Sequence, residues 1–186
     1  MMRNTYLTSH FPLFSILLFS ISFAIYTELQ LTEWLMNVGL YQGMLEFFSE
    51  TGIKFTLLFF LVLFFFMIFS ALKLIVDTVM ELSLLFFSQD VEGNELRKVR
   101  GGTWIYLIAS VCSLFFVTVP IGIVSCFLAA TIIYFIFFVY KVGESMSGAG
   151  LFGMIFFHVS FWSVSTAAVL YAAFRLYNSL IKSLPL

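Results

Sequence analysis

Residues 54–87 read KFTLLFFLVLFFFMIFSALKLIVDTVMELSLLFF, and the fold turns on where this run leaves the hydrocarbon. No Gly or Pro interrupts it, so a single helix is predicted. At 1.5 Å per residue that helix is about 50 Å long, against a bilayer core of about 30 Å. Some part must project, tilt or bend. Lys73, Asp77 and Glu81 follow the greasy half at intervals of four, which puts them along one side of the helix. If Lys54 marks the outer interface, about 20 residues bring the chain to the inner one near Lys73. Lys73 then snorkels to phosphates, while Asp77 and Glu81 stand among headgroups or in the cytosol. The alternative keeps the stripe facing a water-filled crevice between helices, where ionisable residues mark ion or proton paths. The apolar LSLLFF after Glu81 speaks for that alternative. The boundary reading is preferred, because it needs no partner for Asp77 or Glu81.

Composition places the whole chain in a bilayer. Of 186 residues, 62% are hydrophobic and 10% charged, with 26 Phe and a mean hydropathy of +1.08. Soluble domains carry about 25% charged residues. The net charge of −1 gives no basic surface for nucleic acid. Cys112 and Cys126 lie within apolar runs, without CxxC spacing or a neighbouring His. They read as packing residues, not as a disulfide or zinc site.

The expected fold is all-α: a polytopic membrane protein of about five transmembrane helices, with a long second helix and an amphipathic outer segment. The spans fall at roughly 11–27, 54–72, 103–119, 122–140 and 151–173, and residues 1–186 form a single integral membrane domain. Each run has the length a spanning helix needs. Arg3 together with Ser22 and Ala24 loosely resembles a signal peptide and its cleavage site. Bulky residues crowd that site, so the first span is expected to stay uncleaved. Between spans one and two, residues 28–53 carry Glu28, Glu33, Glu46 and Glu50 and no cation before the next span. The 88–102 loop carries Arg97, Lys98 and Arg100. The positive-inside rule therefore puts the N-terminus in the cytoplasm. Five spans leave Arg175 and Lys182 outside, against the same rule. In the outer segment, LQLTEWLMNVGLYQGMLEFFSETG (29–52) reads as one or two short interfacial helices, with Trp34 and Tyr41 near headgroup level.

His158, in FFHVSFW, lies near the middle of span five and shares a helical face with Trp162 and Ser165. A neutral His there bridges two helices by hydrogen bonds. The competing role is proton carriage, since its unperturbed pKa is near neutrality. No second His or acid in that span completes a relay. Small residues at Gly122, Cys126 and Ala130, at Ala168 and Ala172, and at Ala109 and Ser113 read as packing ridges. Asp90, Glu92 and Asn94 alternate like calcium ligands, but Gly93 precedes Asn94 and breaks the EF-hand order. Arg97, Lys98 and Arg100 are candidate contacts for anionic lipid headgroups, at about 1 kcal/mol each. There is no HExxH, GxSxG, Walker loop or Rossmann fingerprint, and His10 is isolated from His158. No catalytic, cofactor-binding or metal residue is assigned.

The strings GMLEFFSETGIKF, SALKLI, ELSLLFFS, WIYL, YFIFFVYK and FFHV together resemble the YufK-like family of small multi-pass membrane proteins from Bacillus and relatives. The likeness runs from NTYLT near the start to YNSLIKSLP near the end. It implies a bacterial cell membrane location and no activity, so no functional residue carries over. Two functions stand as expectations. The favoured one is a non-enzymatic accessory or structural component that packs on a membrane-protein partner or on another copy of itself. The other is a small proton or cation transporter or channel using Lys73, Asp77, Glu81 and His158.

Overall fold

The computed structural model describes residues 10–90 and 93–183. Arg3, Glu92 and the NTYLT stretch lie outside them. The described residues are mostly helical and contain no strand, with the helices in the order α1 (Phe11–Asn37), α2 (Leu40–Leu45), α3 (Glu50–Phe87), α4 (Asn94–Val99), α5 (Thr103–Ser113), α6 (Pro120–Gly143) and α7 (Gly148–Ser183). Single 3₁₀ turns at Arg100–Gly102 and Leu114–Phe116 join α4 to α5 and close α5. Among the described residues five helical stretches are long and apolar enough to cross a membrane: α1, α3, Glu95–Phe116, α6 and Gly148–Ser179 of α7.

Local signals explain the ends. Pro12 opens α1 and Pro120 opens α6, both in the first turn, where the missing N–H costs nothing. Gly39, at φ +79°, breaks the chain between α1 and α2. The Ser49 hydroxyl accepts from Gly52 N–H at 3.1 Å and caps α3. Glu50 and Lys54 then pair one turn apart at 2.6 Å. From there α3 runs unbroken through Lys73, Asp77 and Glu81 to Phe87, about 57 Å at helical rise.

The second, fourth and fifth spans exceed their sequence estimates at both ends, the first runs on only at its C-terminal end, and the third starts earlier, at Glu95, and ends at Phe116, short of 119. Residues 29–37, read as part of a separate interfacial segment, continue α1 instead. Glu28 is buried there, accepting from Thr32 Oγ1 at 3.0 Å, so one local hydrogen bond makes the acidic turn compatible with helix. Only α2 remains as a short element. Trp34 is exposed, but Tyr41 is buried rather than surface-lying.

α1 is the hub, packing on α3 and α5, while α5 packs on α6. Its contact with α3 is aromatic: Phe19 and Phe23 meet Phe69 and Phe65, and Phe127 of α6 closes the cluster. Its contact with α5 is small and polar. Ser22 and Ser113 are fully buried and their hydroxyls lie 2.8 Å apart, the kind of hydrogen bond that holds helices together where lipid gives no hydrophobic drive. A second core lies toward the end of α3, where Met80 and Leu84 pack with Val99, Phe138, Val142 and Met154.

α7 joins the bundle only through its first turns. Cβ atoms built on Gly150 and Gly153 would lie 2.9 Å from Phe87 O and 2.6 Å from the Phe87 ring. These glycines therefore let α7 cross directly on the end of α3. Past Ser165 every described side chain to Lys182 is exposed. Ala168 and Ala172, read in the sequence as a small-residue packing ridge, are exposed among the described residues. Their helix has already left the bundle.

Candidate functional site

An open groove of about 910 Å³ lies between α1, α3, α4, α5 and α6. Pro12 and Thr103 line it from the first turns of α1 and α5, Tyr134 from α6, and Lys73, Asp77 and Glu81 from one side of α3. Arg97, Lys98 and Arg100 line it from the segment that folds over its mouth. Two groups of residues that the sequence offers separately are therefore brought to one place. The reason is local: α4 is held back against the bundle. The Glu95 N–H donates to Asp90 Oδ2 at 2.7 Å, fixing the start of α4, and Val99 and Leu96 pack into the core around Met80 and Phe138.

The charges in the groove sort themselves by partner. Lys73 forms a salt bridge with Asp77, and both side chains are partly exposed. Lys98 bonds Glu95 Oε1 at 2.8 Å, and Glu95 is itself buried. Arg97, Arg100 and Glu81 are exposed and form no ion pair among the described residues. With two pairs cancelled, two arginines and one glutamate leave the groove one positive charge in excess.

A smaller cavity of about 70 Å³ adjoins the groove. Pro12, Lys73, Asp77, Thr103 and Tyr134 line both spaces, while Phe19, Phe69 and Phe127 wall the smaller one. The site is thus polar in the groove and aromatic in the cavity. Exposed apolar residues continue along the helices past the Lys73 level: Leu85 and Phe86 on α3, Phe152 and Phe156 on α7.

His158 does not join this groove. It is buried on α7 with Nε2 3.0 Å from Ser83 Oγ on α3, and Phe135, Phe138 and Phe157 surround its ring. The stripe and the histidine are two sites, not one relay. Sequence reading missed Ser83, Glu95 and Tyr134. Ser83 follows Glu81 by two residues and so turns to a different side of α3, which a stripe search at intervals of four passes over. No group of three or more His, Cys, Asp or Glu among the described residues could hold a metal ion.

Residues 28–185 match a family described as of unknown function, DUF5366. The chain is 46% identical over 184 residues to the "Uncharacterized membrane protein YufK" of Bacillus subtilis (strain 168), covering 99% of this chain and 100% of that one. No solved structure matches it.

Proposed function

The chain belongs to the DUF5366 family and is a multi-pass membrane protein; from that premise we propose that it is a non-enzymatic accessory component of the cell membrane, packing on another integral membrane protein through the distal half of α7. One observation carries this reading. Val164, Val169, Leu170, Tyr171, Phe174, Leu176 and Tyr177 are each more than half exposed, and at 100° per residue they cover about two thirds of the helix circumference, the remaining sector holding Ser165, Ala168, Ala172 and Arg175. So broad an exposed apolar surface needs lipid or protein around it. Lipid covers aliphatic faces equally well, but Ser163, Thr166, Ala167, Ala168 and Ala172 add the small and hydroxyl-bearing residues that favour close helix association. Among the described residues nothing covers this half-helix, and a neighbouring helix would fix its position. In this reading the groove end faces the cytoplasm, on the charge asymmetry of the loops.

A second reading rests on the groove. Lys73 and Asp77 line a crevice while apolar surface continues beyond them, the setting in which charged stripes serve ion or proton passage. The two readings separate in one preparation. Protein purified from its own membrane in mild detergent should carry a stoichiometric membrane-protein partner, and liposomes holding this chain alone should show no ion flux. Flux from the isolated chain would reverse the preference.

A further inference from the structure

We propose that the groove is a binding site for a phosphate group, with the phosphodiester of a single anionic membrane lipid as its occupant. Three independent features converge on that chemistry. The first is charge. Lys73 and Lys98 are already neutralised by Asp77 and Glu95. Arg97 and Arg100 line the same groove with no ion pair among the described residues. Guanidinium groups present paired donors that match phosphate oxygens in a bidentate fork. One diester charge also balances the excess left by two arginines and Glu81.

The second feature is shape. A soluble anion needs only the groove, whereas this groove shares five lining residues with a cavity walled by Phe19, Phe69 and Phe127. Its 70 Å³ takes a few methylene groups, not a whole acyl chain. The remaining chain lies along the lipid-facing surface of the bundle. The third is depth. Pro12 and Thr103 lie in the first turns of their helices here, and the ends of spanning helices lie near headgroup level. A phosphate held between Arg97 and Arg100 with its glycerol toward Tyr134 places polar and apolar parts of one molecule against matching walls. Basic pockets between spanning helices are a general means of holding lipid headgroups. This site stands apart from the distal half of α7, so either proposal can fail alone.

Native mass spectrometry of the full chain tests the site, using phosphatidylglycerol, phosphatidylcholine and inorganic phosphate as probes. Phosphatidylglycerol should bind about tenfold more tightly than phosphatidylcholine. Arg97→Ala with Arg100→Ala should abolish that preference, and Glu81→Gln should strengthen it by removing a repelling carboxylate. The Glu81→Gln arm keeps the test decisive if the double variant fails to fold. Lys54→Gln, at the other end of α3, should change nothing. If inorganic phosphate binds through the same arginines and displaces the lipid, the phosphate site stands and its ligand is the free anion. Equal retention of both lipids by the native chain and its variants would overturn the proposal.

Discussion

His158 Nε2 lies 3.0 Å from Ser83 Oγ, joining α7 to α3 inside a ring of phenylalanines. The Ser83 hydroxyl also lies 2.8 Å from Met80 O and donates to it. A hydroxyl has one proton, so Ser83 accepts from His158, whose Nε2 carries hydrogen. Histidine here acts as a fixed donor between helices. Ser83→Ala and His158→Ala should each destabilise the protein, and their combined effect should fall short of the sum. The coupling expected for an interhelical hydrogen bond in a membrane averages about 0.6 kcal/mol and reaches about 1.7. A double-mutant cycle from reversible unfolding in micelles measures it. Strict additivity would remove the bond from the account of α7 docking.

The crossing of α7 on α3 depends on Gly153. A methyl there lies 2.6 Å from the Phe87 ring, well inside contact distance, so Gly153→Ala should cost about 1–3 kcal/mol as overpacking. Phe87→Ala should relieve it, and the double variant should melt higher than Gly153→Ala alone. Without that rescue, the ring is not what limits the approach.

The Lys73–Asp77 salt bridge has side chains 36% and 45% exposed. Exposed pairs one helical turn apart contribute about 0.3–0.5 kcal/mol, so Asp77→Asn should leave insertion and thermal stability nearly unchanged. In proteoliposomes the same variant discriminates between the two functional readings. Flux present in the native protein and lost in a folded Asp77→Asn protein would establish the charged stripe as a pathway.

Orientation is testable by thiol labelling in a background where Cys112 and Cys126 are replaced by serine. Gln42, on α2, and Gln89, between α3 and α4, are both exposed. Gln42→Cys should react with an impermeant maleimide in intact cells, and Gln89→Cys should react only after lysis. The reverse pattern would invert the topology.

The apolar runs made the spans legible, because a bilayer demands about 20 apolar residues whatever the protein does. The unbroken course of α3 was legible too, since LKLIVDTVMEL contains nothing that stops a helix. The extensions were not. Residues 28–37 contain acids that read as interfacial until Thr32 is seen to donate to Glu28. Of the candidate site, each charged member except Glu95 was visible in the sequence, but the groove was not. It exists because Asp90 holds the start of α4 and Val99 packs against Phe138, contacts that no periodicity encodes. His158 was recognisable as a helix bridge, yet its partner Ser83 lies 75 residues away and is one serine among many. The departure of α7 from the bundle was hidden for the opposite reason: a helix that meets only lipid or a partner has the same apolar composition as one that packs at home.

The most direct measurement of the central proposal is site-specific photo-crosslinking from the distal half of α7 in the native membrane. A photoreactive residue at Ala168 or Ala172 should give one discrete adduct with a different membrane protein. The same residue at Phe59, exposed on α3, should give none. Lipid adducts alone at all three positions, or an adduct at twice the 21.3 kDa of the chain, would contradict packing on a separate membrane protein.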